Sequence, residues 1–322
     1  EQRGRVSVVT PTTEARQHFH HWVWSCFAAQ TWPDKEFVVV ETYTEQPSPF
    51  FEEMAKSDPR LVYFKFKCKQ EADWSIGLKR NIGAHLATGE FVANFDDDDL
   101  YAPSYLSTML SALEERRAQA IKLSSWYIFN AESRAWGFCD PVSWGLTKGL
   151  DETDETVRRW TYGYGFSYAF RRQLGLELWY GDVNFGEDFD FLERVLRRRG
   201  GGSVALMRDD VGVCLHVQHG ANTSDSIPLR DVPAVEAMDL AVSALSAQFS
   251  QLGLTGIDSH PAGEILAFEA PPGARRKTIL AHLPERDVQV LTTADATAER
   301  FLGCLRRQRP EEAERASWRV LR

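Results

Sequence analysis

Four consecutive aspartates, Asp96, Asp97, Asp98 and Asp99, follow the short apolar run Phe-Val-Ala-Asn-Phe at 91–95. Two unit charges about 5 Å apart at an effective dielectric near 20 repel by roughly 3 kcal/mol. Such a cluster must be solvated, partly protonated or neutralised by a cation. Hard divalent ions such as Mg²⁺, Mn²⁺ or Ca²⁺ suit oxygen ligands of this kind. The competing reading is a solvated acidic turn, because Pro103 opens an amphipathic helix over 104–117 whose start favours negative charge. A second acidic group, Gly186-Glu187-Asp188, heads an amphipathic stretch that runs to Arg199 and stops at Gly200. Acids there are ordinary capping chemistry, and Glu187 and Asp190, three apart, share a helix face.

The elements that must position these groups read as strands at 6–10, 37–40 and 61–66. Between them lie helices at 14–30, with an aromatic stripe of Phe19, Trp22, Val23, Cys26 and Phe27, and at 50–56. A helix from Ser75 is expected to end on Gly89 as its C-cap. Strand–helix alternation with nearly continuous apolar strands marks a parallel α/β sheet, and ligands of such sheets sit at the carboxyl ends of the strands. Further on, 121–129 reads as one strand that forms a hairpin with 135–139. Residues 140–165 show no clear period and hold Trp144, Trp160, Tyr162 and Tyr164, which could form a sugar-stacking wall, a lid or buried packing. A strand at 165–172 leads into a helix at 173–178, and 203–207 with 213–217 look like a final strand pair. Residues 234–252 read as a helix, followed by strands at 265–269, 278–283 and 288–292 and a helix at 297–307. The expected organisation is a domain over 1–232 and a small α+β accessory region over 233–322.

The chain has 322 residues, 43% of them hydrophobic and 12% aromatic, ample for a core. A net charge of −9 with no basic stripe argues against a nucleic-acid surface. Phosphate, if bound, is then expected to come with a metal. No apolar run approaches the roughly 18 residues of a membrane span, and no signal peptide opens the chain. The five cysteines are scattered, without a Cys-x-x-Cys pair, and are expected to be reduced and mostly buried, which points to a cytoplasmic setting.

Phe-Asp-Asp-Asp-Asp-Leu-Tyr-Ala-Pro at 95–103 resembles the DxD segment, Asp-x-Asp-Asp-x-x-x-Pro, of family 2 glycosyltransferases, nucleotide-sugar enzymes of the GT-A fold. The resemblance covers about residues 5–225 and implies a Rossmann-type mixed sheet flanked by helices. Asp96, Asp98 and Asp99 fall on the acidic positions and Asp97 on the variable one. The family's use of that segment implies that Asp96, Asp97 and Asp98 face the donor nucleotide, and that Asp98 and Asp99 face the metal. Pro11, Thr12 and Thr13 after the first strand, and Glu41 after the second, match the family's contacts to the donor base, although the family more often carries Asp at the second place. Lys79, Arg80 and Asn81 are similar to its basic-Asn segment, with charge for the diphosphate or uracil and Asn81 fixing a neighbouring loop. Gly-Glu-Asp resembles the Glu-Asp motif and implies Asp188 as catalytic base, with Glu187 and Asp190 holding the acceptor or orienting it. His-Gly-Ala-Asn-Thr at 219–223 resembles a His-Gly-x-Asn-Thr segment and implies His219 as a third metal ligand or diphosphate contact, with His216 the weaker candidate. Asn222-Thr-Ser is also a formal glycosylation sequon, discounted because it falls in this loop.

The expected function is therefore Mn²⁺- or Mg²⁺-dependent transfer, with inversion, from a UDP-sugar to a hydroxyl of a glycan, lipid or small-molecule acceptor. A sugar-nucleotide nucleotidyltransferase would want a Gly-rich basic loop after the first strand, which Val-Val-Thr-Pro-Thr-Thr does not provide. A catalytically silent carbohydrate- or calcium-binding module is the competing reading from another class.

Overall fold

A computed structural model of the chain describes residues 2–223 and 226–251. Its strands are β1 (Gln2–Thr13), β2 (Lys35–Tyr43), β3 (Leu61–Lys67), β4 (Gly89–Asn94), β5 (Leu100–Tyr101), β6 (Ala120–Leu123), β7 (Trp126–Asn130), β8 (Ala135–Cys139), β9 (Tyr168–Arg171), β10 (Val204–Met207), β11 (Cys214–Gln218) and β12 (Arg230–Asp231). The helices are α1 (His20–Ala29), α2 (Pro49–Ser57), α3 (Ile76–Leu86), α4 (Tyr105–Glu115), α5 (Pro141–Thr147), α6 (Glu155–Tyr162), α7 (Arg172–Glu177), α8 (Glu187–Arg199), α9 (Ala234–Met238) and α10 (Ser246–Gln251).

Seven strands form the main sheet in the order β10-β6-β9-β4-β1-β2-β3, and five form a second sheet in the order β12-β8-β7-β11-β5. In the main sheet β1 runs parallel to both β2 and β4, while β9 is antiparallel to β4 and β6. The valines and phenylalanines of β1, β2 and β4 are buried on both faces, as central parallel strands require. The chain leaves β1 towards β2 on one side, whereas β4 lies on the other. That switch in strand order opens a crevice at the carboxyl ends of β1 and β4. Pro11 to Thr13 and the four aspartates are delivered to that crevice.

Several elements differ from the sequence reading, each for a local reason. Residues 14–19 form a 3-10 turn before α1 begins at His20. Helix α3 stops at Leu86 with Ala87 as its cap, and Gly89 is instead the first residue of β4. A side chain at Gly89 would press on Arg5 O and Ser7 Oγ at 2.6 and 2.8 Å, so the glycine serves close strand packing. The single strand expected over 121–129 breaks at Ser124 and Ser125 and feeds two sheets. The Ser124 N–H donates to Met207 O and Ser125 Oγ accepts from the Asp209 N–H, each at a few tenths under 3 Å. Strands β10 and β11 do not pair; β10 pairs with β6 and β11 with β7 and β5. The hairpin of β7 with β8 forms as expected. Residues 140–165 hold two short helices, α5 and α6, started by the carboxylates of Asp140 and Asp154. The helix expected over 234–252 is broken after Met238, because Ala241 and Val242 donate to Val211 O and Gly212 O while Leu240, Val242 and Leu245 turn into the core. Phe249 then packs its ring 5.5 Å from that of Trp136. The strands and helix expected beyond 252 lie outside the described residues.

Candidate active site

A cavity of about 310 Å³ opens at the crevice and is lined by Pro11 to Thr13, Asp96 to Asp98 and Glu187 with Asp188. These segments are far apart in sequence, and the fold brings them to one place. Arg80 links the two acidic groups. Its guanidinium lies 2.6 Å from Glu187 Oε1 and 3.1 Å from Asp96 Oδ1, and its Nε finds no partner among the described residues. A side chain at Gly165 would strike that guanidinium at 2.5 Å, so the glycine leaves the space Arg80 fills.

The four aspartates divide their contacts. Asp97 accepts from Thr12 Oγ1 and Arg16 Nε, both at 2.6 Å. Asp98 pairs with Arg16, meets His219 Nε2 at 2.9 Å and accepts from Asn222 Nδ2 at 3.3 Å. Asp99 is fully buried; its Oδ1 meets His216 Nδ1 at 3.0 Å and the Val217 N–H at 2.9 Å, leaving Oδ2 without a partner among the described residues. Burial raises the carboxyl of Asp98, but Arg16 and His219 outweigh it and hold its pKa well below the usual range. Asp99 is raised by burial, with His216 pulling the other way. Burial, opposed by Arg80 and reinforced by the other aspartates, pushes Asp96 up to about 7.

Asp188 and Glu187 open α8 behind Gly186, which takes φ +79°, a left-handed turn natural to glycine. Both carboxylates are buried, which raises their pKa values while Arg80 holds them down. Glu187 is committed to Arg80. Asp188 accepts the Phe189 N–H at 2.7 Å and faces the cavity. Asp190 is exposed and does not line the cavity.

Lys79 lines the cavity, donates to Thr12 O at 3.0 Å and sits 3.3 Å from Asp73. Asn81 does not reach it. Its amide donates to Tyr180 O at 3.0 Å and accepts from the Tyr180 N–H at 2.9 Å, pinning the chain ahead of α8. Glu41 is also withdrawn, fully buried and holding the Ser48 N–H, the Tyr63 hydroxyl and Gln17 Nε2. From Ser48, which Glu41 holds by its backbone, a buried chain of hydrogen bonds runs to Thr12. Ser48 Oγ meets His20 Nδ1 at 2.8 Å, and His20 Nε2 meets Thr12 Oγ1 at 2.9 Å. Burial lowers His20 to about 3, so the ring is neutral, and because Thr12 donates to Asp97 its partner His20 must donate from Nε2. His216 lines the cavity with its ring stacked 4.7 Å from Phe166, and its buried Nε2 has no partner among the described residues; His219 meets Asp98.

Sequence reasoning missed Arg16, which sits in the 3-10 turn after β1 and clamps Asp97 and Asp98. Its signal was position, one turn beyond the carboxyl end of a central strand. With Lys79 and Arg80, which the sequence reading placed near the diphosphate, it brings three cations to the cavity. Six carboxylates still face these three cations: Asp73, Asp96, Asp97, Asp98, Glu187 and Asp188. That excess suits a divalent ion. Among the described residues no three acidic, His or Cys side chains surround a common metal position. The Asp98–His219 pair is a carboxylate and an imidazole at one point, a donor set that fits Mn²⁺ or Mg²⁺ once ligand oxygens complete it.

The two-sheet architecture with its crevice acids is that of the GT-A class. The chain belongs to glycosyl transferase family 2, whose model matches residues 7–175. It is 27% identical over 192 residues to a glucosyl-dolichyl phosphate glucuronosyltransferase of Haloferax volcanii, covering 58% of each chain. It is 37% identical over 82 residues to a putative glycosyltransferase, EpsH, of Bacillus subtilis, covering 25% of this chain and 22% of that one. The chain thus spans under two thirds of the length of either relative. Among solved structures, S. aureus TarS 1-349 in complex with UDP-GlcNAc superposes with a TM-score of 0.51 at 14% identity, over 77% of this chain and 72% of that one.

Proposed function

We propose that the chain transfers a sugar, with inversion, from a UDP-sugar to an acceptor hydroxyl, with Asp188 as general base. The observation that carries this reading is the single cavity shared by Asp96 to Asp98 and by Glu187 with Asp188, with Arg80 ion-paired to both groups. The acceptor oxygen forms a bond to the anomeric carbon, the bond from that carbon to the diphosphate oxygen breaks with its electron pair, and the hydroxyl proton passes to the Asp188 carboxylate. Glu187 cannot serve as well, because Arg80 occupies it. Thr12 and Arg16 hold Asp97 in place, and Lys79 with Arg80 brings positive charge to the donor phosphates. Asp98 and His219 would hold Mn²⁺ or Mg²⁺, which supplies Lewis-acid stabilisation of the departing diphosphate when bound. Uridine as the base rests on the likeness of Pro11 to Thr13, and of Lys79 with Arg80, to the family's donor-binding segments.

The test is UDP release from a panel of UDP-sugars with Mn²⁺, on the chain and on Asp188→Asn. General base catalysis contributes roughly 10²- to 10⁴-fold, about 3–5 kcal/mol. Turnover should fall by that factor while UDP affinity by calorimetry stays within about twofold. Unchanged turnover in Asp188→Asn would remove Asp188 from the mechanism.

A further inference from the structure

A second groove, of about 450 Å³, lies beside the cavity and is lined by Glu155, Thr156, Arg159, Trp160, Tyr164 and Ile227. Tyr164 lines both spaces, so the groove adjoins the cavity that holds Asp188. Its wall is built rather than loose. Trp160 is half-buried, with its ring edge-on to Trp144 at 5.3 Å. Tyr164 leans on Trp126 at 4.9 Å. Helix α6, which carries Glu155 to Trp160, is tied to α8 by the Arg158–Glu193 ion pair, so the groove is fixed relative to Asp188. Across from the aromatics, Ile227 is 62% exposed. Glu155 and Arg159 pair at 2.9 Å with most of each side chain in solvent.

From this geometry we infer that the groove is the acceptor subsite and that its ligand is a carbohydrate, bound with a sugar ring on the Trp160 and Tyr164 wall. This deepens the transferase reading above and rests on it. A sugar ring has an apolar C–H face that covers aromatic surface and a rim of hydroxyls that needs charged or polar partners. Trp160, Tyr164 and Ile227 meet the first need, and Glu155, Thr156 and Arg159 the second. An alkyl chain would satisfy only the aromatic part and would strip water from the Glu155–Arg159 pair without replacing its hydrogen bonds. Tyr164, shared by the two spaces, is where an acceptor lying here would pass towards Asp188.

The experiment titrates the full chain with cellotriose, chitotriose and mannotriose, each with and without UDP and Mn²⁺, by saturation-transfer NMR. Decyl phosphate is run as the lipid-like comparison. At least one trisaccharide should bind saturably. Trp160→Ala and Arg159→Ala should each weaken it tenfold or more, and Trp160→Phe should restore most of the loss. UDP affinity should stay within twofold in every variant, which also reports that each has folded. Trisaccharide binding untouched by Trp160→Ala and Arg159→Ala overturns the assignment. So does the absence of binding by all three sugars, or decyl phosphate bound in their place, while UDP still binds. Failure of UDP to bind the unaltered chain would instead strike the donor reading, because the sugar titration without nucleotide stands apart from it.

Discussion

Arg80 is the residue on which both halves of the chemistry converge. It is buried, forked and paired at once with Asp96 of the acidic cluster and with Glu187 beside Asp188. Lysine cannot reproduce a planar fork that spans two carboxylates, so Arg80→Lys should lower turnover about tenfold or more. The pH profile gives a sharper reading. Burial raises the pKa of Asp188 and Arg80 opposes that rise. A base works only when ionised, so activity should fall as pH drops through a value above the ordinary aspartate range. In Arg80→Met that acid limb should move to still higher pH; a limb that stays put would separate Arg80 from the base. The same raised pKa has a stability consequence of definite sign. A carboxyl whose pKa is higher folded than unfolded adds stability that is present below its unfolded pKa and lost as pH rises through the folded one. Asp188→Asn should therefore melt at a higher temperature than the native chain at pH 8, with the gap closing towards pH 4. Thermal unfolding across that range checks it.

At the scale of elements, Glu187 and Asp188 are positioned by the contact of α3 with the turn ahead of α8. Gly77 donates its N–H to Val183 O at 3.2 Å, Ser75 Oγ donates to Asp182 at 2.5 Å, and the Ile76 N–H donates to Asn184 Oδ1 at 2.9 Å. A methyl group at Gly77 would lie 1.8 Å from Gly181 O, and both sides of that contact are backbone. Gly77→Ala should thus cost about 1–3 kcal/mol in chemical denaturation and lower turnover by displacing Glu187 and Asp188. Gly201→Ala, with nothing within 4 Å, is the control and should change neither. Wild-type turnover in Gly77→Ala would mean the turn does not aim the base. Much of this scaffold was legible in the sequence. The alternating strands and helices up to Asn94, the acids beyond β4 and the span of α8 follow from periodicity, glycine punctuation and charge, which are local signals. What was not legible depended on distant partners. Ser124 and Ser125 break a strand only because Met207 and Asp209 receive them. The cap expected at Gly89 was a packing glycine against β1, and β10 and β11 part company because each finds a parallel partner elsewhere. Glu41 carries the right residue type near the right place, yet the fold buries it against Ser48, Tyr63 and Gln17, while Asn81 does hold a neighbouring loop, through the backbone of Tyr180.

For the molecule as a whole, the balance of charge decides how a nucleotide can be held. The chain carries −9 overall, and the cavity itself sets six carboxylates against Arg16, Lys79 and Arg80. Each of those cations is already within ion-pair distance of a carboxylate, Arg16 at Asp97 and Asp98, Lys79 at Asp73, and Arg80 at Asp96 and Glu187. A diphosphate entering this field alone would add negative charge to a surplus of the same sign, and breaking an ion pair to receive it would uncover a buried carboxylate. A divalent cation at Asp98 and His219 would offset most of that surplus. UDP with Mn²⁺ at a hundredfold excess over its dissociation constant should stabilise the folded chain by about 2.7 kcal/mol, read as a rise in melting temperature. UDP with EDTA should give little of that rise, and Asp98→Asn or His219→Gln should cut the Mn²⁺-dependent part tenfold or more in affinity. Full stabilisation by UDP in EDTA would instead show that Arg16, Lys79 and Arg80 exchange their carboxylate partners for phosphate without help, and the cavity would then be a cationic phosphate site screened by acids.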